Sequence, residues 1–229
     1  MSIQVIDQEK SQSGRAVDSG QYPAFANGFY ANYGKRALDI VAATAGLILL
    51  SPVLAIAACC IKLTSRGPVF FRQIRIGQGA RPFQILKFRS MTSQTSNRDL
   101  KITVAGDSRV TPVGRLLRSY KVDELPQLWN VIRGDMSLVG PRPEVPFYIE
   151  EYTPEQRIVL SARPGITDLA SLAYRREEEI LAGQADPERY YRTKILPDKL
   201  ARNRVYLEKI TLQNDIRIIV KTISSSFYL

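Results

Sequence analysis

Histidine is absent from this 229-residue chain. That absence removes Ser–His and Cys–His nucleophilic catalysis together with every imidazole metal site, so acid–base or nucleophilic chemistry falls to Asp, Glu, Lys, Tyr, Ser or Thr. Cysteine is scarce. The two present, Cys59 and Cys60, are neighbours inside an apolar run, which makes neither a disulfide framework nor a spaced metal site; packing or lipid contact is their role. There is no phosphate loop of Walker type and no dinucleotide fingerprint. Aromatic residues near the basic runs are few, which argues against stacking on single-stranded nucleic acid. No internal repeat or low-complexity stretch is found.

What is present is a basic excess, a formal net charge of +10. Residues 62–145 carry 15 Lys/Arg against 6 Asp/Glu, so nearly all the surplus is concentrated there. Such a surplus suits an anionic partner: nucleic acid, a phosphorylated substrate or an anionic membrane surface. Hydrophobic residues make up 45% of the chain, enough for a packed core and too many for wholesale disorder.

The charge-free stretch from Ile40 to Ile61 is 22 residues long, sufficient as a helix to cross a hydrocarbon core of roughly 30 Å. Two features oppose a simple crossing. Ser51-Pro52 falls mid-run, where proline removes a helical hydrogen bond and favours a bend. Basic residues flank both ends, Lys35 and Arg36 before and Lys62, Arg66, Arg72 and Arg75 after, and basic flanks prefer the cytoplasm. Crossing and re-entrant readings both follow from these residues. Ile56-Ala57-Ala58-Cys59 loosely resembles a cleavage site before a cysteine, but the apolar run starts late and is longer than a signal core.

Three segments follow: residues 1–33 as a polar extension, poorly ordered or peripherally docked; residues 34–64 around the apolar run; and residues 65–229, which the family resemblance stated below makes a cytoplasmic catalytic domain behind a membrane helix. Within the last, Pro68–Ile76 and Pro82–Met91 read as strands around a hairpin loop at Gly77–Arg81, and residues 92–110 as a polar loop. Thr111-Pro112 opens a helix to about Tyr120. Asp123 is expected to cap a second helix reaching Ile132 and ended by Gly134. Thr153-Pro154-Glu155 opens a short helix. The tail from Pro187 to Ser225 is mainly helical, with an apolar stripe of Ile216, Ile219, Val220 and Ile223 suited to packing on the domain or lying on a membrane.

The chemistry concentrates in Asp123-Glu124-Leu125-Pro126-Gln127. A helix start favours an ionised carboxylate, while the adjacent acid disfavours a second charge. Arg115 and Arg118 precede the pair, Arg142 follows it in Gly140-Pro141-Arg142-Pro143, and Lys87 and Arg89 lie in the second strand. Arginine forks bind phosphate oxygens, carboxylates hold the divalent ion that accompanies a diphosphate, and a carboxylate can attack phosphorus. A membrane-tethered nucleic-acid binder would explain the charge, but an acid pair among the arginines would repel a polyanion.

Lys87-Phe88-Arg89-Ser90-Met91, Thr111-Pro112-Val113-Gly114-Arg115-Leu116-Leu117-Arg118, Asp123-Glu124-Leu125-Pro126-Gln127, Met136-Ser137-Leu138-Val139-Gly140-Pro141-Arg142-Pro143 and Arg163-Pro164-Gly165-Ile166-Thr167 occur in this order. With Lys35-Arg36 and Ser51-Pro52, the chain resembles the short form of the bacterial sugar transferase family, the monotopic phosphoglycosyl transferases, over residues 34–225. The resemblance implies a small membrane-associated α/β (α+β) domain with a re-entrant helix bent at Ser51 and Pro52, a short β-hairpin and amphipathic surface helices. It implies that Asp123 attacks the sugar-bearing phosphate of a UDP-sugar and releases UMP, with Mg2+ near Asp123 and Glu124 as the second member of a catalytic dyad. Polyprenyl (undecaprenyl) phosphate would then take the phospho-sugar at the cytoplasmic face of the bacterial inner membrane. Downstream glycosyltransferases would extend the product toward an exopolysaccharide or glycoconjugate. Arg118 and Arg142 would contact phosphate; the roles of Lys87, Arg89 and Arg115 rest on charge. One departure stands out: where the family commonly reads Gly-Leu-Ala-Gln, this chain has Asp168-Leu169-Ala170-Ser171, so sugar specificity does not carry over.

Overall fold

A computed structural model describes residues 29–92 and 102–227. Residues 1–28, most of the expected extension, and part of the expected polar loop lie outside them. The helical path starts ahead of the expected boundary at 34, with a π-helical turn at Tyr30–Gly34 that runs directly into α1, Lys35–Thr64. Among the described residues this is the one helix long and apolar enough to cross a membrane, and little of it is buried.

Pro52 lies inside α1 and has no N–H to offer the Ile48 carbonyl. The Ser51 hydroxyl donates to that carbonyl instead, at 2.8 Å, and the helix continues. Both halves of α1 pack on the same domain. Ala43 and Leu47 join a cluster with Ile85, Leu128, Val131 and Met136; Leu54, Ala57, Ala58 and Ile61 join one with Phe88, Val113 and Leu117. Between them Ile48, Leu49 and Val53 are exposed. The stretch between the two packed zones, residues 48–53, amounts to about 9 Å of helix.

The hairpin pairs β1 (Phe70–Ile76) with β2 (Pro82–Phe88), antiparallel, Phe70 opposite Phe88. The second strand is shorter than expected: Arg89 N–H still reaches the Val69 carbonyl at 2.8 Å, and from Ser90 on the chain leaves the ladder. The Ser90 carbonyl accepts from Thr111 N–H, where α2 (Pro112–Ser119) begins under the expected Thr111 cap, whose hydroxyl accepts from Gly114 N–H at 2.9 Å. A Cβ at Gly114 would fall 2.0 Å from the Ser90 carbonyl oxygen, so glycine is what allows α2 to seat against the end of β2.

A 3-10 turn, Val122–Glu124, carries the acid pair and leads into α3 (Gln127–Arg133). Asp123 is not the cap expected for that helix: Pro126 holds the cap position with no side-chain bond. The expected stop at Gly134 is met, in the left-handed region at φ 96°. Arg36 caps the same end, donating to the Val131 and Ile132 carbonyls at 2.7 and 3.0 Å, a favourable place for a cation. Buried Asp39 accepts from Leu138 N–H at 3.0 Å. Lys35 pairs with Asp215 at 2.6 Å. The basic flank at the start of α1 thus fastens the helix to the domain.

Strand β3 (Ser137–Val139) runs parallel to β4 (Gly165–Thr167). Gly140 and Gly165 are pressed together, each leaving no space for a Cβ. Their closeness lets Gly140 N–H reach the Thr167 carbonyl and Gly165 N–H the Pro141 carbonyl, fixing the backbone just before Arg142.

The rest is helical: α4 (Pro146–Ile149), a 3-10 segment (Gln156–Ser161) where the Thr153-Pro154-Glu155 helix is expected, α5 (Leu169–Ala173), α6 (Glu177–Ala182), α7 (Pro187–Tyr190), α8 (Leu196–Glu208) and α9 (Leu212–Phe227). The main core gathers Val139, Tyr148, Leu160, Leu181, Tyr191, Ile195, Leu207 and Ile218. The stripe expected on the last helix divides: Ile219 packs toward this core, whereas Ile216, Val220 and Ile223 are exposed with Leu212. Asp215 is buried and accepts from Tyr30 and Tyr206 as well as Lys35.

Candidate active site

The 3-10 turn sets Asp123 and Glu124 between β2 and the segment after β3. Glu124 is clasped from both sides. Lys87 Nζ donates to its Oε1 at 2.8 Å; Arg142 Nη2 donates to the same oxygen at 2.5 Å and Nη1 to Oε2 at 3.3 Å. Burial by itself opposes ionisation of Glu124, but Arg142 and then Lys87 outweigh it and hold the carboxyl well below the usual range. Glu124 is therefore a fixed negative charge.

Asp123 is its opposite. The residue is 7% exposed and its Oδ1, fully buried, has no hydrogen-bond partner. Burial first and the Glu124 charge second push its pKa up to about 6, against the pull of Lys87, Arg118 and Lys121. A carboxylate near neutrality with an unsatisfied oxygen is poorly solvated, and such groups cluster at sites of chemistry. Gln127, one turn on, is 1% exposed and its amide nitrogen is also unpartnered.

Of the cations expected at the pair, the structure brings Lys87 and Arg142 into direct contact with it. Arg118 is close enough for its charge to act on Asp123, but its guanidinium pairs with Glu178. Arg115 projects from α2 into solvent. Arg89 is engaged elsewhere: its guanidinium donates to Ser65 O and Oγ at 2.9 and 2.7 Å and lies over Gly67, tying the end of α1 to the hairpin. Ser51 and Pro52 are remote from the pair, at the exposed middle of α1.

Lys121 is a site residue that sequence reasoning passed over, although it stands two positions before Asp123. Glu178 was also missed, and nothing local announces it as the partner of Arg118. Asp168 and Ser171, the departure from the family pattern, prove to be a helix cap: Asp168 accepts from Ser171 N–H at 2.6 Å and from its hydroxyl at 3.2 Å. Asp168 also adds to the negative field on Arg142. Beside it a small cavity is lined by Arg142, Glu144, Asp168, Ser171, Lys199 and Asn203.

The residues at the pair fit a divalent ion only in company. Among the described residues there is no cluster of three His, Cys, Asp or Glu that could hold a metal alone. Both oxygens of Glu124 are engaged, which leaves the unpartnered Oδ1 of Asp123. One or two carboxylates plus substrate phosphates is the usual way Mg2+ is held.

The structure thus places a buried acid pair in contact with Lys87 and Arg142 on a small α/β domain that packs against an apolar helix. The chain belongs to the bacterial sugar transferase family, which it matches over residues 30–228. It is 42% identical over 194 residues to the UDP-glucose:undecaprenyl-phosphate glucose-1-phosphate transferase of Caulobacter vibrioides, covering 83% of this chain and 68% of that protein. It is 38% identical to the UDP-N-acetylgalactosamine-undecaprenyl-phosphate N-acetylgalactosaminephosphotransferase of Aeromonas hydrophila, covering 82% of this chain but 42% of that protein. With the exopolysaccharide production protein PSS of Rhizobium leguminosarum it shares 37% identity over 83% of this chain and 94% of that protein. The motifs that carried the resemblance identify the family correctly.

Proposed function

We propose that this chain transfers a sugar 1-phosphate from a UDP-sugar to polyprenyl (undecaprenyl) phosphate through a phospho-sugar intermediate on Asp123, starting exopolysaccharide or glycoconjugate assembly at the cytoplasmic face of the inner membrane. The observation that carries it is the contrast at the acid pair: Glu124 is locked by Lys87 and Arg142, while Asp123 is buried, ionises near pH 6 and keeps an oxygen unpartnered.

In the first step a carboxylate oxygen of Asp123 forms a bond to the sugar-bearing phosphorus, the bond from that phosphorus to the bridging oxygen breaks, and UMP leaves with the electron pair. In the second, an oxygen of the lipid phosphate attacks the same phosphorus, the acyl phosphate bond breaks, and Asp123 returns as carboxylate beside a polyprenyl diphosphate sugar. Lys87, Arg142 and Arg118 supply fixed positive charge for the phosphate oxygens in a site largely closed to water. Asp123, with the donor's phosphates, would hold Mg2+, which when bound neutralises charge on the diphosphate. A near-neutral pKa suits Asp123 to both steps, since it must be ionised to attack yet leave readily from phosphorus.

A re-entrant course for α1, bent at Ser51-Pro52, is supported by the packing of both helix halves on one domain. The intervening residues 48–53, about 9 Å of helix, fall far short of the roughly 30 Å needed to cross. The names of the relatives supply the substrate classes, with glucose and N-acetylgalactosamine among their sugars.

The decisive experiment incubates detergent-solubilised protein with each of a panel of UDP-sugars and no lipid. UMP release up to one equivalent per protein, with sugar phosphate retained on the chain, is the expected result. UMP that appears only once undecaprenyl phosphate is added would replace the covalent route with direct transfer.

A further inference from the structure

Lys121 has a backbone conformation and a charge that the reactions above leave without a role. Its φ is 57° and its ψ 19°, the left-handed region, and Ala80 is the other described residue besides glycine with positive φ. A side chain with a Cβ is disfavoured there, and glycine or asparagine is the usual occupant. The residue is the joint between α2 and the turn that bears the acid pair: its N–H donates to the Arg118 carbonyl at 3.1 Å, and its carbonyl accepts from Glu124 N–H at 3.2 Å. Its side chain is exposed, yet its charge acts on both Asp123 and Glu124.

The other cations acting on Asp123 are held in place by carboxylates. Lys87 is paired with Glu124 and Arg118 with Glu178. Lys121 alone of these has no ion-pair or hydrogen-bond partner for its side chain among the described residues. On the two elements that flank the turn, Leu116 of α2, Tyr120 just past its end and Trp129 of α3 are exposed. Through Val113 and Leu117, α2 packs on the C-terminal half of the apolar helix α1. An unpaired ammonium two residues from a nucleophile, on a joint whose flanking helices expose apolar side chains, one of them packed on the apolar helix α1, complements a single anionic headgroup on a hydrocarbon chain.

We infer that Lys121 receives the phosphate of the lipid acceptor, with Leu116, Tyr120 and Trp129 lining the path of its isoprenoid chain. This rests on the transfer reaction proposed above and deepens it by separating the two phosphate sites. Lys87 and Arg142 serve the donor side of Asp123; Lys121 serves the lipid that arrives second, holding a phosphate oxygen within reach of the phosphorus on Asp123.

Trp129 is the only tryptophan in the chain, so its fluorescence reports on this face. Detergent-solubilised protein is titrated with undecaprenyl phosphate and, separately, with undecaprenol, which has the same tail and no phosphate. Lys121→Asn removes the charge while suiting the left-handed backbone, and Lys121→Arg keeps the charge. Expected results are a roughly tenfold weaker Kd for undecaprenyl phosphate in K121N, an unchanged Kd for undecaprenol, and a value within about twofold of wild type in K121R. In turnover assays with UDP-glucose or UDP-N-acetylgalactosamine, the acceptor KM of K121N rises similarly while the donor KM moves less than about twofold. Equal binding of undecaprenyl phosphate by wild type and K121N, or equal loss for the lipid and the alcohol, overturns the role of Lys121 and leaves the transfer reaction standing. A wild-type protein that makes no UMP and whose Trp129 emission ignores undecaprenyl phosphate overturns both.

Discussion

Asp123 and Glu124 are adjacent in the chain and opposite in their surroundings: Glu124 accepts charged donors on both oxygens, whereas Asp123 keeps a buried oxygen that nothing donates to. The site divides one electrostatic task between two neighbours. Glu124 offsets part of the charge of Lys87 and Arg142, so that they can be buried beside Asp123. Its own negative charge then adds to burial in raising the pKa of Asp123.

This division makes the ionisation of Asp123 costly to the fold. Its folded pKa of about 6 lies above the ordinary 3.8, so the folded state binds a proton more readily than the unfolded chain between those values. Stability therefore falls as pH rises from about 4 to about 6, and above 6 the full penalty, at most about 3 kcal/mol, is present. Asp123→Asn should abolish UMP release and yet stabilise the protein at pH 7.5 by about 1–3 kcal/mol, the advantage shrinking toward pH 4. Thermal or denaturant unfolding of both proteins at the two pH values checks this. A less stable variant at pH 7.5 would contradict the placement of an unsatisfied carboxylate at 123.

Glu124→Gln should act in the other direction. The folded pKa of Glu124 is depressed, so its stabilisation is complete above the ordinary carboxylate range and is lost only in stronger acid. Removing that charge strands Lys87 and Arg142 in a buried site, at a cost of roughly 3–5 kcal/mol. It also removes the neighbour that raises Asp123. The acid limb of the pH profile for UMP release, near pH 6 in wild type, should shift to lower pH in the variant even as its melting temperature drops. An unchanged acid limb would mean that Glu124 does not set the ionisation of Asp123.

Short-range features of this fold were readable from the chain because one or two residues decide them. Thr111 caps α2, Gly134 ends α3 with a positive φ, and the hairpin turns between its two strands where its glycines stand. The acid pair was readable as well, through its motif. Hidden were contacts made across long sequence distances: Arg36 on the last carbonyls of α3, Asp39 on Leu138, Lys35 on Asp215, Arg118 on Glu178. A basic residue beside an apolar run looks like a membrane flank whether it meets lipid or caps a helix. Charge alone likewise cannot separate a guanidinium that faces a ligand from one bonded to backbone.

If α1 dips into the membrane and returns, both of its ends face the cytoplasm. In a background with Cys59→Ala and Cys60→Ala, single cysteines at Tyr33 and at Thr64 test this. Both positions should stay unlabelled by a membrane-impermeant maleimide added to the periplasmic side and react in inverted vesicles. Labelling of one end from each side would establish a crossing helix and would require the domain to release one of its two packed zones on α1.

Arg89 and Arg142 offer the sharpest comparison between charge as structure and charge as chemistry. Both were expected at the phosphate site from their sequence surroundings. Arg142 meets Glu124, whereas buried Arg89 donates to Ser65 at the end of α1. Arg89→Met deletes charge-assisted hydrogen bonds worth about 1.5–3 kcal/mol and leaves the Ser65 carbonyl without them, so unfolding should begin at a lower temperature. The donor kcat/KM of the folded variant should stay within about threefold of wild type. Arg142→Met removes a cation from the reacting centre and should lower kcat/KM at least about a hundredfold. Unfolding curves and donor kinetics on both variants decide the matter. If Arg89→Met leaves stability intact and loses activity as deeply as Arg142→Met, the guanidinium of Arg89 must leave Ser65 and turn to the substrate during the reaction.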